Sequence, residues 1–129
     1  MRTILIDDER LARKELASLL SNHDNIEIIG EAQNADEAKE MINEHNPDLI
    51  FLDIQMPGKT GFELLEELES TPEVIFVTAY DDYAIRAFEV NALDYLLKPV
   101  DEARLDDALK RVVERKEKPK EDVESENDS

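Results

Sequence analysis

The sequence contains no cysteine and no tryptophan, and only three of its 129 residues are glycine. Without cysteine, the chain can form no disulfide, no thiolate metal site and no thiol nucleophile. Gly58 and Gly61 stand in one turn and do not form a G-x-G-x-x-G loop, which argues against a glycine-rich cradle for a nucleotide phosphate.

Basic residues and long apolar runs are also scarce. Lys and Arg number 15 against 33 Asp and Glu, a formal net charge of −18. This charge repels phosphate backbones and anionic lipid, so we expect no direct nucleic-acid binding by this segment. No run reaches the ~18 apolar residues of a membrane span, and the first residues lack the ~7–15-residue apolar stretch of a secretion signal. We therefore expect a cytoplasmic protein that makes no membrane contact.

The acidic residues are concentrated towards the end of the chain. From Lys116 onward the sequence reads KEKPKEDVESENDS, in which Val123 is the one large apolar residue. Such a segment buries too little apolar surface to order itself. We predict one folded domain over residues 1–115 and an acidic disordered linker or tail over residues 116–129.

Five apolar runs of strand length alternate with segments of helical periodicity. The runs are Thr3–Ile6, Ile26–Gly30, Leu49–Leu52, Val74–Thr78 and Leu93–Leu97. They are continuous rather than alternating, which indicates strands buried on both faces. Right-handed β-α-β connections then place helices on both sides of a parallel sheet. We predict an α/β fold, a doubly wound five-stranded sheet of the flavodoxin-like (βα)5 type with strand order 2-1-3-4-5.

Polar side chains follow four of these predicted strands. Asp7 and Asp8 follow the first, Asp53 follows the third, Thr78 ends the fourth and Lys98 follows the fifth. In the predicted order the first and third strands are neighbours, so three carboxylates converge at one edge of the sheet. Two such charges ~4 Å apart repel by about 4 kcal/mol at an effective dielectric constant of ~20. A cation is therefore expected, and Mg²⁺ suits an all-oxygen site that keeps positions open for water and phosphate.

The remaining groups at this edge suggest phosphoryl transfer. A carboxylate can attack a phosphoryl group and hold it as an aspartyl phosphate, while the charge on the three phosphoryl oxygens must be neutralised from several sides. Asp53 is the best nucleophile candidate because it stands alone on the central strand. Lys98 and Thr78 would contact the phosphoryl oxygens.

At this point the chain resembles the receiver domain of bacterial two-component response regulators. The markers of that family are Asp7-Asp8-Glu9, Asp53, Met56-Pro57-Gly58, Thr78-Ala79 and Lys98-Pro99. The stretch from Thr78 to Pro99 further resembles the subgroup with a LytTR-type (LytR/AlgR-like) DNA-binding domain. The resemblance implies a signalling switch rather than an enzyme, with at most slow self-catalysed phosphoryl transfer and hydrolysis, and an output domain that this chain does not contain.

The family's roles carry over onto matching positions. Asp53 would accept phosphate from a sensor histidine kinase; Asp8, Asp53 and the Gln55 backbone carbonyl would bind Mg²⁺ directly, and Asp7 through water. Thr78, Ala79 and Tyr95 would form the switch, in which Tyr95 is the aromatic residue that moves. The Lys98-Pro99 bond would be cis.

The fourth predicted helix, residues 82–91, has apolar side chains over more of its circumference than a single core stripe requires. Tyr83, Ile85, Phe88 and Val90 spread well beyond that stripe. Together with the resemblance, this pattern predicts a homodimer, formed on phosphorylation through the fourth helix, fifth strand and fifth helix.

Two other functions are compatible with the fold class. A metal-dependent phosphohydrolase also forms an aspartyl phosphate, but its motif ends Asp-x-Asp, whereas Gln55 stands here and cannot supply a proton. A flavin or nucleotide carrier would need a Gly-, Ser- or Thr-rich phosphate loop after the first strand, where this chain has acids.

Overall fold

The computed structural model describes residues 1–117 and shows five strands alternating with five helices. The elements are β1 (Arg2–Ile6), α1 (Arg10–Leu20), β2 (Glu27–Ala32), α2 (Ala35–His45), β3 (Leu49–Leu52), α3 (Gly61–Glu67), β4 (Glu73–Thr78), α4 (Ala84–Glu89), β5 (Asp94–Leu97) and α5 (Glu102–Glu117). The predicted alternation is confirmed, although β2 begins and ends later than the apolar run suggested.

The sheet is parallel throughout and its strand order is β2-β1-β3-β4-β5. This confirms the predicted fold class and order. The inner strands β1, β3 and β4 are almost wholly buried, as continuous apolar strands require, whereas the edge strand β2 is only partly covered.

Two apolar layers hold the helices against the sheet. On one face, Phe76 of β4 packs against Phe62 of α3 with ring centroids 5.0 Å apart, within a layer that α2 and α4 complete. On the other face, Leu5 and Phe51 join the inner sides of α1 and α5. The helices bury apolar faces against the sheet; the buried residues of α2 and α5 are Ala35, Ala38, Ile42, Leu105, Ala108, Leu109 and Val112.

Side-chain caps begin three of the helices. Thr60 and Glu63 form a reciprocal capping box at α3. At α2, the Asn34 side chain accepts from the Glu37 N–H, but the reciprocal half of a capping box is absent because the Glu37 carboxylate accepts from Gln33 instead. The Asp101 carboxylate accepts from the Arg104 N–H at 3.1 Å, as expected of a cap for α5.

The helix predicted over residues 82–91 is shorter in the structure. It spans Ala84–Glu89, with Tyr83 as its N-cap residue and Val90 as its C-cap residue. Asn91 lies in the left-handed region at φ 62°, which ends the helix because that conformation cannot continue it.

Several features concern the chain's ends and connections. The Lys98-Pro99 bond is cis, as predicted. Helix α5 extends to Glu117, so it includes the first two residues of the predicted tail, and the rest of that tail lies outside the described residues. Within the described part, no helix is long and apolar enough to cross a membrane.

Asp94, at the start of β5, ties the sheet to α5. It is buried, and its carboxylate accepts from both terminal nitrogens of Arg104, at 2.8 and 2.5 Å, and from Arg111. Burial opposes its ionisation, but the hydrogen bonds from Arg104 and the Tyr95 N–H, together with the charges of Arg104 and Arg111, outweigh burial and lower the pKa of Asp94.

We expect Asp94→Asn to lower the free energy of unfolding by about 1–2 kcal/mol at neutral pH. This is the contribution of a charged hydrogen bond, reduced because both arginines are partly exposed to solvent. A lowered pKa means that this stability is present above the unfolded value of 3.8 and is lost as pH falls through the folded value. Urea melts across pH should therefore show the two proteins converging in acid. Glu73→Gln, which breaks the exposed 2.9 Å pair with Arg115, is the control and should change stability little. Equal losses in both variants would contradict the assignment.

Candidate functional site

The carboxyl ends of four strands meet at one edge of the sheet. Asp7 follows β1, Asp53 follows β3, Thr78 ends β4 and Lys98 follows β5. Because β1 and β3 are neighbours, the structure brings their aspartates together, as the sequence predicted. The Asp53 N–H donates to the Ile6 carbonyl at 3.0 Å and so extends the β1–β3 ladder to the site.

Three carboxylates form the cluster at this edge. Asp7, Asp8 and Asp53 each offer an oxygen within 4.8 Å of the others. Asp7 and Asp53 are buried and Asp8 is exposed. Burial raises the pKa of Asp53, and the negative charge of Asp7 raises it further, against the opposing effect of Lys98. The cluster therefore favours a bound cation.

Lys98 is the ammonium that this cluster shares. Its Nζ lies 2.7 Å from Asp7 Oδ2, 3.2 Å from Asp53 Oδ2 and 3.3 Å from Glu9 Oε1. Burial opposes its charge, but the hydrogen bond and charge of Asp7 together with Asp53 outweigh this and raise the pKa of Lys98. One ammonium thus faces several carboxylates, and the site keeps a surplus of negative charge.

The donor set fits Mg²⁺. The three carboxylates supply hard oxygen ligands on neighbouring strands, and the exposure of Asp8 leaves one side open to water and phosphate. No nitrogen or sulfur ligand belongs to the cluster, so the set does not resemble a zinc site.

The backbone orients the Asp53 carboxylate. Its Oδ1 accepts from the Ile54 N–H at 2.7 Å, while its Oδ2 faces Lys98. The turn after it closes through the Gly61 N–H, which donates to the Ile54 carbonyl at 2.9 Å. A Cβ at Gly61 would lie 2.5 Å from the Asp53 carbonyl oxygen, so glycine is required for α3 to begin this close to the carboxylate.

The predicted switch residues lie at the carboxyl end of β4 and in the neighbouring strand β5. Thr78 is fully buried; its carbonyl accepts from the Lys98 N–H at 2.8 Å and its Oγ1 accepts from the Tyr80 N–H at 3.4 Å. Ala79 is exposed. The half-buried Tyr95 ring packs 6.3 Å from Phe76, and its hydroxyl donates to the Tyr80 carbonyl.

Several contacts at the site were not predicted. Glu9 reaches Lys98, the Arg13 guanidinium donates to the Asp7 carbonyl at 2.6 Å, and the Gln55 side-chain amide donates to the Tyr83 hydroxyl at 2.8 Å. The charges of Glu9 and Arg13 close to Asp7 in sequence were a usable signal. The Gln55–Tyr83 pair had none, because its residues are 28 positions apart.

Comparison with known proteins gives a consistent result. The sequence profile of the response regulator receiver domain matches residues 3–110. An uncharacterized response regulatory protein of Vibrio cholerae is 55% identical over 120 residues, which are 92% of this chain and 51% of that protein. The transcriptional regulatory protein BtsR of Escherichia coli is 47% identical over 125 residues, which are 95% of this chain and 52% of that protein.

Solved structures agree with these matches. The response regulatory domain of protein mrkE from Klebsiella pneumoniae superposes with a TM-score of 0.81 at 33% identity, covering 89% of this chain and 97% of that one. The chain spans about half the length of the curated relatives that it matches.

Proposed function

Because this chain belongs to the response regulator receiver domain family, we propose that it is a phosphorylation-controlled switch in which Asp53 accepts a phosphoryl group from a sensor histidine kinase. The observation that carries the proposal is the buried Asp53 carboxylate, 3.2 Å from the Lys98 ammonium and inside a cluster of acids. Incubation with acetyl phosphate and Mg²⁺, followed by intact-mass spectrometry, should reveal one added phosphoryl group.

The proposed step is a direct transfer. An Asp53 oxygen attacks the phosphorus of a phosphohistidine, a P–O bond forms and the P–N bond breaks. The electron pair leaves with the imidazole, which takes up a proton from water. Lys98 would exchange its contact with Asp53 for one with a phosphoryl oxygen, and the Thr78 hydroxyl would give up the Tyr80 N–H to donate a second hydrogen bond.

Asp8, Asp53 and the Gln55 backbone carbonyl would hold Mg²⁺, with Asp7 acting through water. The ion would neutralise charge on the phosphoryl oxygens. The cluster of Asp7, Asp8 and Asp53 supports this assignment, because a bound cation would reduce the repulsion among the three carboxylates.

Surface features suggest how the kinase approaches. A cavity of about 340 Å³ lies between α1 and the segment after β5, and its lining includes Asp7 and Lys98. Leu11, at the start of α1, belongs to the same lining and is 72% exposed. We propose that an apolar side of the kinase covers Leu11 while its histidine reaches Asp53.

The switch would pass from Thr78 to Tyr95. Movement of the Thr78 hydroxyl towards the phosphoryl group would free space that the Tyr95 ring can enter, changing the surface of α4, β5 and α5. The Tyr95 hydroxyl bond to the Tyr80 carbonyl would be exchanged in that movement.

We expect Thr78→Ala to take up the phosphoryl group but to lose the response of this surface, because the hydroxyl that senses the group is absent. Backbone amide shifts measured with and without acetyl phosphate check this. Thr3→Ala is the control. Thr3 is as buried as Thr78, but it pairs with Leu49, the first residue of β3, and so lies towards the amino ends of the strands, away from the carboxylate cluster. Full phosphorylation-induced shifts in Thr78→Ala would contradict the proposed route.

The output surface would form a homodimer. Four apolar side chains are exposed on α4 and around β5: Ile85 at 79%, Phe88 at 82%, Leu97 at 47% and Val90 at 39%. Such exposure indicates an interaction site, and a symmetric pair would cover it on both copies. The formal charge of −18 opposes association, so salt should strengthen the contact.

In sedimentation, we expect the acetyl-phosphate-treated protein to shift towards dimer, and Ile85→Glu to remain monomeric because it buries a charge at the contact. Leu11→Glu is the matched control: it places the same charge on a similarly exposed leucine of α1 and should dimerise normally. A monomer under every condition would remove dimerisation while leaving the phosphoacceptor unaffected.

We further propose that the whole protein carries a LytTR-type DNA-binding output domain. The supporting observations are the stretch from Thr78 to Pro99 and the length of the relatives, one of which is called a transcriptional regulatory protein. The acidic receiver would regulate that domain without contacting DNA itself.

A further inference from the structure

The side chains of Gln55 and Tyr83 link the loop from β3 to α3 with the start of α4. Gln55 lies two residues after Asp53 in the loop from β3 to α3, and Tyr83 is the N-cap residue of α4. The Gln55 Nε2 donates to the Tyr83 hydroxyl at 2.8 Å. A hydrogen bond of ordinary length therefore connects the phosphoacceptor loop to the start of the helix that carries the exposed apolar surface.

The two partners differ in how firmly they are held. The half-buried Tyr83 ring packs 6.1 Å from Phe62 and edge-on to Tyr80 at 6.3 Å. Gln55 is exposed, although Ile54 and Met56 beside it are buried. Among residues 1–117, the Gln55 side chain forms a hydrogen bond with Tyr83 and with no other residue. The aromatic cluster is thus the anchor, and Gln55 is the group that it positions.

We infer that Tyr83 is a positioning residue whose hydroxyl holds Gln55 in place for Mg²⁺ and so couples occupancy of the carboxylate site to the start of α4. The inference rests on the proposed function, in which the Gln55 backbone carbonyl is a metal ligand. Fixing the side chain restricts the loop that carries this carbonyl, so less freedom is lost when the ion binds. Coupling is reciprocal, and Mg²⁺ should therefore also change the surroundings of Tyr83.

The hydroxyls of Tyr83 and Tyr80 provide a matched comparison. Each Tyr→Phe change removes one oxygen and keeps the ring, but for the Tyr80 hydroxyl the structure gives no hydrogen bond among the described residues. Loss of a neutral hydrogen bond predicts a change of about threefold in the Mg²⁺ dissociation constant of Tyr83→Phe. Tyr80→Phe should bind Mg²⁺ as the unaltered protein does.

The test is a Mg²⁺ titration followed by calorimetry and by backbone amide shifts, without any phosphodonor. We expect Tyr83→Phe and Gln55→Leu each to weaken binding about threefold and the double variant to be no weaker than either, since both remove the same bond. The Mg²⁺-induced shifts at residues 83–87 should be lost in both single variants and kept in Tyr80→Phe.

Other outcomes separate the inference from the function beneath it. Additive losses in the double variant, or equal behaviour of Tyr83→Phe and Tyr80→Phe, would overturn the positioning role and leave the metal site standing. If the unaltered protein binds no Mg²⁺, the metal assignment falls and this inference falls with it. Because Gln55 is exposed, Gln55→Leu should fold even if Tyr83→Phe does not.

Discussion

Asp53→Ala should abolish uptake of a phosphoryl group from acetyl phosphate and Mg²⁺, where the unaltered protein gains one group per chain. The Asp53 carboxylate is the proposed nucleophile, and alanine has no oxygen with which to attack phosphorus. Asp7 is the nearest rival, because it is also buried and its oxygen lies closer to Lys98, at 2.7 Å against 3.2 Å. Intact-mass spectrometry measures the uptake, and peptide mapping identifies the residue that carries it.

Two controls make this result specific. Asp24→Ala removes an exposed acid in the turn between α1 and β2, at the amino end of β2 and away from the site, and should be phosphorylated normally. Asp53→Asn keeps the shape of the side chain and removes a buried carboxylate. The raised pKa of Asp53 means that its charge is unfavourable in the folded protein, so without metal this variant should melt no lower than the unaltered protein. A phosphoryl group that persists in Asp53→Ala would disprove the assignment.

The pH dependence of uptake follows from the same carboxyl group. Burial and Asp7 raise the pKa of Asp53 above its ordinary value of 3.8, and only the ionised form is a nucleophile. In the metal-free protein, the protonated Asp53 carboxyl stabilises the folded state at pH values below its ordinary pKa. This stabilisation is lost as the pH rises through its raised pKa in the folded state. Uptake requires the ionised carboxylate and should therefore increase with pH, and a higher Mg²⁺ concentration should move this rise to lower pH because the cation favours the ionised form. Hydrolysis of a generic phosphomonoester with repeated turnover would instead support the phosphohydrolase alternative.

Mg²⁺ should raise the melting temperature of the unaltered protein, and Asp8→Ala should lose this response. Binding to the folded state alone stabilises by about 2.7 kcal/mol at a hundredfold excess over the dissociation constant. For a domain of this size that amounts to a rise of about 10 °C. The physical reason is the relief of repulsion among Asp7, Asp8 and Asp53, which the single Lys98 ammonium cannot neutralise. Differential scanning calorimetry with increasing MgCl₂ measures the effect.

The same experiment contains its own control for folding. Asp8 is exposed, so Asp8→Ala should melt no lower than the unaltered protein when Mg²⁺ is absent. Asp24→Ala again removes an exposed acid, here to test whether any lost charge weakens the response, and it should retain the full Mg²⁺ response. If Asp8→Ala and the unaltered protein respond equally to Mg²⁺, Asp8 is not a ligand.

Much of the fold could be predicted because its signals are local or periodic. Continuous apolar runs such as Leu49–Leu52 indicated strands buried on both sides, and the structure shows that strand fully buried. The capping box of Thr60 and Glu63 likewise depends on residues three positions apart. Prediction was weakest at element ends: the helix predicted over residues 82–91 is shortened by the left-handed Asn91, whose conformation depends on its surroundings.

The sequence by itself determined which chemical groups reach the site. Asp7, Asp53, Thr78 and Lys98 each stand where a predicted strand ends, and parallel strands bring their carboxyl ends to a common edge. Only the tertiary structure decided how these groups are paired. It placed Lys98 nearer to Asp7 than to Asp53, joined Gln55 to Tyr83, and left Ile85 and Phe88 exposed. Such pairings depend on distances between side chains far apart in sequence, and packing sets those distances, whereas periodicity records only which face of its own element each residue occupies.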